Sequence, residues 1–217
     1  DLAVALAGRL IGGPAKVAIF SSALQGTISG SSVANVVTSG SYTIPMMKKL
    51  GYKKEFAGAV EAAASTGGQL MPPIMGAAAF LMVEFIGRGI TYWEIAKAAA
   101  IPALLYFTGI WIMTHFEAKR LGLRGLSDEE MPNRKEVLKK IYLLIPILLI
   151  IVLMLTGIPV MKAALYGVLA CILVGMFNKD TRLGPIDMID ALVDGARTAL
   201  GVVAATARAG IIVGVVV

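Results

Sequence analysis

Two short stretches of the sequence combine glycines with hydroxyl and amide side chains inside apolar surroundings. The first is GTISGSSVAN at residues 26–35, and the second is GGQLMPP at residues 67–73. Glycine and proline interrupt helices, and an interrupted helix leaves backbone N–H and C=O groups free. Carbonyl, hydroxyl and amide oxygens suit a small hard cation, whereas the N-termini of half-helices favour an anion. The two stretches therefore predict a site for an ion and an anionic substrate.

The candidate ligands of this site lie at or beside one of the two interruptions. They are Ser29, Gly30, Ser31, Ser32 and Asn35 in the first stretch, and Thr66, Gly67, Gly68, Gln69 and Pro72 around the second. A structural alternative stays open, because small residues allow close helix packing and a serine can cap a helix without binding a ligand. No lysine stands after Gly30 in the phosphate-loop pattern, so a phosphate-binding loop is not predicted.

Two charged residues lie within apolar segments. Glu61 follows the first interruption on the segment that leads to the second, and Arg208 lies in ATARAGII. Because charge inside a membrane is costly, such residues are candidates for function. We expect Glu61 to couple proton movement or help bind a cation, and Arg208 to be buried beside an acidic group or an anionic substrate. The alternatives are a Glu61 that reaches water at a helix end and an Arg208 that snorkels to the interface.

The composition is that of a membrane protein. Of the 217 residues, 57% are hydrophobic and only 16% are charged, whereas soluble domains carry about 25% charged residues. The net charge of +6 comes from basic residues clustered in short loops between apolar runs, which indicates a lipid bilayer and no nucleic-acid partner. The chain opens with Asp1 and stops at Val217 within an apolar run, so we expect it to be a fragment of a longer polypeptide.

The apolar segments predict an all-α polytopic membrane protein. Predicted spans are residues 98–115, 141–157, 162–177 and 200–217. The loop at 117–140 is rich in lysine and arginine, which predicts a cytoplasmic position. Residues 185–199 alternate acidic and apolar positions and predict an interfacial amphipathic helix.

Two further segments do not fit simple spans. Residues 15–47 consist of two halves too short to cross about 30 Å of hydrocarbon, and lysines flank both ends. They predict a re-entrant helical hairpin whose tip is SGSS. Residues 54–86 would form a helix of about 48 Å, interrupted by GGQLMPP, which predicts a discontinuous transmembrane helix. Non-helical backbone at membrane depth must be buried in protein or line a cavity, so we expect the two interruptions to bury each other.

The sequence also resembles a known family, the large membrane subunit of TRAP (tripartite ATP-independent periplasmic) transporters. The run that carries the resemblance is GGPAKVAIFSSALQGTISGSSVANVVTSGSYTIPMMKKLGYKKEFAGAVEAAASTGGQLMPPIMGAAAF, and a looser match continues through DGARTALGVVAATARAGIIVGVV. The similarity is to the fused-permease branch that works with TAXI-type binding proteins. It implies an elevator-type secondary transporter with an inverted repeat, of which this chain holds one hairpin and one broken helix.

The resemblance further implies how such a transporter is organised. Residues 1–89 would belong to the mobile transport domain, 90–184 to the scaffold and connecting helices, and 185–217 to an amphipathic helix and the start of the next span. A periplasmic binding protein would deliver an organic acid anion at the bacterial or archaeal inner membrane, with a small membrane subunit fused or separate. Sodium, or protons in some members, would drive uptake without another cofactor. Sodium would be held near Ser29, Ser31, Asn35 and Gly67.

Other classes of function would use the same residues. An intramembrane enzyme would use Ser29, Ser31 or Ser32 as its nucleophile, but no histidine or lysine lies near enough in sequence to act as a base, so no enzyme is predicted. An anion transporter from a different two-hairpin family remains an alternative, as does a channel-like or scaffold module. A channel needs a continuous pore lining, which one hairpin and one broken helix do not provide.

Overall fold

The computed structural model describes residues 2–87, 89–176 and 184–216. All regular secondary structure in these ranges is helical, as the sequence predicts. The chain divides into two compact units, residues 1–141 and 142–217.

The first unit holds the two interrupted segments and the helices around them. Its helices are α1 (Leu2–Ala7), α2 (Gly13–Ser29), α3 (Ser32–Leu50), α4 (Lys54–Gly67), α5 (Ala77–Ile86), α6 (Tyr92–Arg120) and α7 (Arg134–Lys139). Short 3-10 turns lie at Gly68–Leu70 and Asp128–Glu130.

The hairpin consists of α2 and α3, of 17 and 19 residues, or about 26 Å and 29 Å at the usual helical rise. Gly30 ends α2 in the left-handed conformation, at φ +57°, and its N–H donates to the carbonyl of Gly26. Ser31 then caps α3, its hydroxyl accepting from the N–H of Ala34. The two helices meet at the SGSS motif. Together they cover residues 13–50, slightly more than the predicted 15–47, because Pro14 favours the first turn of α2 and Gly51 caps the end of α3.

The second interruption separates α4 from α5, which have 14 and 10 residues. Helix α4 ends at Gly67, a 3-10 turn covers Gly68–Leu70, and regular helix resumes only at Ala77. The N–H of Gly76 donates to the carbonyl of Gln69 at 2.8 Å and closes the loop. The break lies at GGQLMPP, where two prolines without N–H groups cannot continue the helical hydrogen bonding.

Glycines bring the two interruptions into backbone contact. A Cβ atom on Gly26 would lie 2.3 Å from the Cα of Gly68, and one on Gly30 would lie 1.8 Å from the carbonyl oxygen of Met75. Since any larger residue would push these backbones apart, the glycines permit the contact. The expected packing of the two interruptions against each other is therefore observed.

Helix α6 packs against the end of α4, where the break begins. It begins at a capping box formed by Thr91 and Glu94, and the hydroxyl of Tyr106 donates to the carbonyl of Ala63 at 2.9 Å. With 29 residues it exceeds the predicted span of 98–115. Within the described ranges it is the one helix long and apolar enough to cross a membrane, judged by length and composition.

The loop predicted at 117–140 is partly helical in the structure. Helix α6 runs on to Arg120, and α7 follows the 3-10 turn at Asp128–Glu130. Glu130 accepts hydrogen bonds from the backbone N–H and the hydroxyl of Ser127, which lower the pKa of its carboxyl group. Its carboxylate also lies 3.6 Å from Lys49 at the end of α3, so the loop contacts the base of the hairpin.

In the second unit, α8 (Ile145–Leu155) and α9 (Val160–Met176) pack as a pair after a 3-10 turn at Ile141–Leu144. Their limits lie inside or close to the predicted spans of 141–157 and 162–177, although residue 177 lies outside the described ranges. Helix α10 (Pro185–Val216) is continuous, whereas the sequence predicted an amphipathic helix followed by a new span. No proline separates the two parts, and Gly195 and Gly201 by themselves do not end the helix.

Substituting Gly26 with alanine tests the crossing of the two interruptions. We expect Gly26→Ala to lower the midpoint of thermal unfolding of the purified protein, because overpacking of this kind costs about 1–3 kcal/mol. Gly58→Ala on α4 is the matched control, since a Cβ there would meet nothing within 4 Å. Alanine is also the better helix former, so the control should be neutral or stabilising. Equal midpoints for the two variants would contradict the close crossing.

Candidate functional site

Asn35 is the central polar residue of the hairpin tip and is fully buried. Its Oδ1 accepts a hydrogen bond from the hydroxyl of Ser29 at 2.7 Å, and its Nδ2 donates to the carbonyl of Ser22 at 3.3 Å. A Cβ on Gly68 would lie 2.6 Å from Nδ2, so the backbone of the break packs directly against this amide. Asn35 therefore joins both helices of the hairpin and contacts the second interruption.

The serines around the turn connect the tip to the break. The hydroxyl of Ser29 accepts from the N–H of Ser31 at 3.3 Å, while Ser31 caps α3. Gln69 reaches from the break and donates through Nε2 to the hydroxyl of Ser32 at 2.9 Å. One hydrogen-bonded group thus joins Ser29, Ser31 and Asn35 within the tip, and the bond between Gln69 and Ser32 joins the tip to the break.

Thr66, Gly67 and Pro72 take no part in the hydrogen bonds described above. Thr66 is exposed and donates to the carbonyl of Ala62 on its own helix. Gly67 packs against α6, since a Cβ there would lie 2.6 Å from the ring of Tyr106. Pro72 is half-buried within the break.

Arg208 belongs to the second unit and is exposed on α10, as are the other described side chains of that helix. Its place beside an acidic group or an anionic substrate stays a prediction.

Glu61 is fully buried, with 0% of its surface exposed. Its Oε1 accepts hydrogen bonds from the hydroxyls of Ser22 and Ser65, each at 3.2 Å, and from that of Ser39. Its Oε2 accepts from the hydroxyl of Thr43. The four hydroxyls come from α2, α3 and α4, and we call this group the hydroxyl cage. The alternative in which Glu61 reaches water at a helix end is therefore wrong for this structure.

Sequence reasoning did not single out the hydroxyls of Ser22, Ser39 and Thr43. A signal for two of them was present, because Asn35, Ser39 and Thr43 recur every four residues and form a polar stripe along one face of α3. Glu61 and Ser65 show the same spacing on α4. The stripes identify faces within each helix, but the pairing of those faces follows only from how α2, α3 and α4 pack together.

Removing the Asn35 side chain tests its role in holding the tip together. Asn35→Ala leaves the carbonyl of Ser22 and the hydroxyl of Ser29 without their buried partner, at a cost of about 1–3 kcal/mol. We therefore expect a lower midpoint of thermal unfolding. Ser41→Ala on the same helix is the control, because that hydroxyl is exposed and bonds only to the carbonyl of Thr38. Similar midpoints for the two variants would show that the Asn35 contacts do not stabilise the tip.

The amino-acid sequence of the chain is similar to that of known transporter subunits. The chain matches the family described as "Tripartite ATP-independent periplasmic transporter, DctM component" over residues 1–217. It is 29% identical over 152 residues to the sialic acid TRAP transporter large permease protein of Vibrio cholerae, covering 69% of this chain and 35% of that protein. The C4-dicarboxylate TRAP transporter large permease protein of the same organism is 31% identical over 137 residues, covering 63% of this chain and 29% of the relative.

A third relative is the isethionate TRAP transporter permease protein of Oleidesulfovibrio alaskensis, which is 30% identical over 125 residues, covering 58% of this chain and 19% of that protein. The aligned regions thus span about a third or less of the length of these curated relatives. All three are transporter permeases and not enzymes. With the family match over its whole length, the chain belongs to the DctM component family of tripartite ATP-independent periplasmic transporters.

Proposed function

We propose that the protein forms part of the large membrane subunit of an ion-gradient-driven importer of an organic acid anion, in the TAXI-type branch. The observation that carries the proposal is the backbone contact between the hairpin tip and the helix break, which gathers polar groups from both. The names of the three relatives give sialic acid, C4-dicarboxylates and isethionate. These compounds are organic anions at neutral pH, which supports the same class of substrate for this chain.

The helix ends at the contact suit an anion and a cation together. Helix α3 begins at Ser32 and α5 begins at Ala77, just after the residues that contact Gly30. Their N-termini carry partial positive charge, which favours a carboxylate or sulfonate group. Helices α2 and α4 end beside the Gly26–Gly68 crossing, where partial negative charge and free carbonyls favour a cation.

Sodium is the cation that we expect at the tip, near Ser29, Ser31, Asn35 and Gly67. The Ser29 hydroxyl and Asn35 Oδ1 lie 2.7 Å apart and supply oxygen atoms of the kind that sodium prefers. Gly67 contributes only backbone, next to the crossing. Protons are the alternative coupling ion.

In this proposal the chain works within the inner membrane as a multi-pass subunit. The hairpin is re-entrant, because α2 and α3 are each slightly shorter than the hydrocarbon layer of about 30 Å. Residues 1–89 move as the elevator domain against scaffold helices from 90–184. A periplasmic binding protein delivers the anion, and a small membrane subunit, fused or separate, completes the complex. Arg208 on α10 remains a proposed partner of an acidic group or of the substrate.

The test is uptake by the full-length protein in proteoliposomes, together with its periplasmic binding protein. Radiolabelled carboxylates and sulfonates, including those named for the relatives, would be offered under an inward sodium gradient or an inward proton gradient. We expect uptake of at least one anion that depends on the binding protein and on an imposed gradient. An absence of uptake across the whole panel under both gradients would contradict the proposal.

Ser29→Ala tests the sodium site in the same assay. Ser29 is exposed at the tip, so the variant should fold, with a lower midpoint of thermal unfolding because Asn35 Oδ1 loses its donor. We expect the sodium concentration for half-maximal uptake to rise about tenfold, which corresponds to about 1.4 kcal/mol of binding free energy. Ser41→Ala, also exposed and on the adjoining helix, should leave that concentration unchanged. An unchanged sodium dependence in Ser29→Ala would remove Ser29 from the site.

A further inference from the structure

An open groove runs between helices α2 and α6 and is formed by two cavities that share Trp111. The first cavity has a volume of about 350 Å³ and is lined mostly by apolar side chains, among them Ile19 and Phe107. The second, of about 510 Å³, follows it toward the C-terminal end of α6 and is lined by Lys16 and Phe116 besides Trp111. We call this surface, from Ile19 and Phe107 to Lys16 and Phe116, the α2–α6 groove.

The length of the groove is close to that of one leaflet of a bilayer. On α6 it extends from Leu104 to Phe116, which is about 18 Å at the usual helical rise. One leaflet contributes half of the hydrocarbon layer, or about 15 Å. Leu104, Ile112 and Phe116 are exposed, so apolar side chains border the groove where it opens. Its length and its lining therefore fit a single acyl chain that lies along α6.

One end of the groove carries positive charge. Lys16 is buried, with 3% of its surface exposed, and its Nζ lies 3.1 Å from Nδ1 of His115 and 4.8 Å from the ring centroid of Trp111. Lys119 follows His115 by one helical turn and is exposed. Among the described side chains, no carboxylate contacts Lys16. Because a buried charge without a counter-ion is costly, an anion bound at this end would be stabilising.

The acidic side chains that follow this end of the groove along the chain already have basic partners. Glu117, the acidic residue nearest to His115 on α6, pairs with Arg120 at 2.7 Å. Glu130 of the following loop lies 3.6 Å from Lys49 at the end of α3. The negative charge that would complement the groove is therefore left to a ligand.

We propose that the α2–α6 groove binds an anionic phospholipid, with one acyl chain along Trp111 and the phosphate group at Lys16 and Lys119. A phospholipid carries both required parts in one molecule, because its phosphate group is attached to the end of its hydrocarbon chains. A free anion would leave the apolar cavities unfilled. A zwitterionic lipid would bring a second positive charge beside the lysines, which makes it the weaker ligand.

The lipid belongs to the cytoplasmic leaflet. The basic segment 117–140 directly continues from this end of the groove, and segments rich in lysine and arginine lie on the cytoplasmic side. The choice of leaflet rests on the membrane position given in the proposed function, whereas the identity of the transported anion plays no part in it. Since the lipid would contact both α2 and α6, its binding should stabilise the packing of the first hairpin helix on α6.

Fluorescence quenching at Trp111 tests whether a lipid occupies the groove. The full-length protein would be reconstituted with phosphatidylglycerol or phosphatidylcholine whose acyl chains carry bromine, which quenches tryptophan at short range. The signal of Trp111 would be isolated by subtracting that of the Trp111→Phe variant. We expect phosphatidylglycerol to be preferred at least about fivefold, because one basic group near an anionic membrane surface favours binding by about that factor.

Two lysine variants and one control locate the charge that causes the preference. Lys16→Gln should lower it to near equality, and Lys119→Gln should lower it as well. Lys48→Gln is the matched control, since it removes an exposed lysine at the end of α3, outside the groove. If Lys16→Gln fails to fold, the exposed Lys119 decides the outcome.

Three results would overturn the proposal. They are equal quenching of wild-type Trp111 by the two lipids, quenching by neither lipid, which would mean that protein covers the groove, and an unchanged preference in Lys119→Gln.

Thermal unfolding of the full-length protein in detergent separates a lipid from a free anion. Phosphatidylglycerol should raise the midpoint of the wild type, whereas glycerol phosphate, which carries the phosphate without acyl chains, should not. An equal rise with glycerol phosphate would overturn the assignment to a lipid. A protein that prefers phosphatidylglycerol at Trp111 but transports no anion would contradict the proposed function alone, and transport without this preference would contradict the lipid site alone.

Discussion

The contact between the Gly30 turn and the residues before α5 determines where every polar group of the interruptions lies. Backbone that leaves a helix in apolar surroundings needs other partners for its N–H and C=O groups. Here each interruption supplies partners and cover for the other, and glycines at positions 26, 30 and 68 allow the backbones to meet. The break in α4–α5 is thus tolerated because the hairpin tip covers it, and the tip is covered in turn by the break.

The polar interior of the first unit extends from this contact along one face of α3. Asn35, Ser39 and Thr43 follow one another at successive turns and end at the carboxyl group of Glu61. Within apolar surroundings such a stripe is stable only if every member has a hydrogen-bond partner. The partners come from α2 and α4, so the stripe also specifies how these three helices pack. The same hydrogen bonds that hold the helices together connect the buried acid with the tip.

This arrangement places two kinds of polar helix end at the same contact. Helix N-termini at the tip favour an anion, whereas helix C-termini and amide oxygens favour a cation. The hydrogen bonds that run from Asn35 through Ser39 to Glu61 join this contact to the middle of α4.

The amino-acid sequence by itself determined the class of protein and the positions of the two interruptions in the first unit. These features are local: apolar content sets the class, and glycine and proline stop a helix wherever they cluster. The same reasoning correctly placed the turn at Gly30 and the break at GGQLMPP, and it identified Glu61 as unusual. It predicted two elements where α10 is continuous, because a change in the hydrophobic pattern does not end a helix without a stop signal.

Only the tertiary structure decided what surrounds each polar residue. Ser22, Ser39 and Ser65 are far apart in sequence, and their convergence on Glu61 depends on the packing of three helices, which no local pattern records. In the same way, the Thr66 side chain bonds to its own helix at Ala62, whereas the Asn35 side chain bonds to Ser29 at the tip. The direction of a side chain depends on which face of its helix becomes buried. Burial is a property of the whole fold, because contacts between segments decide which face is covered.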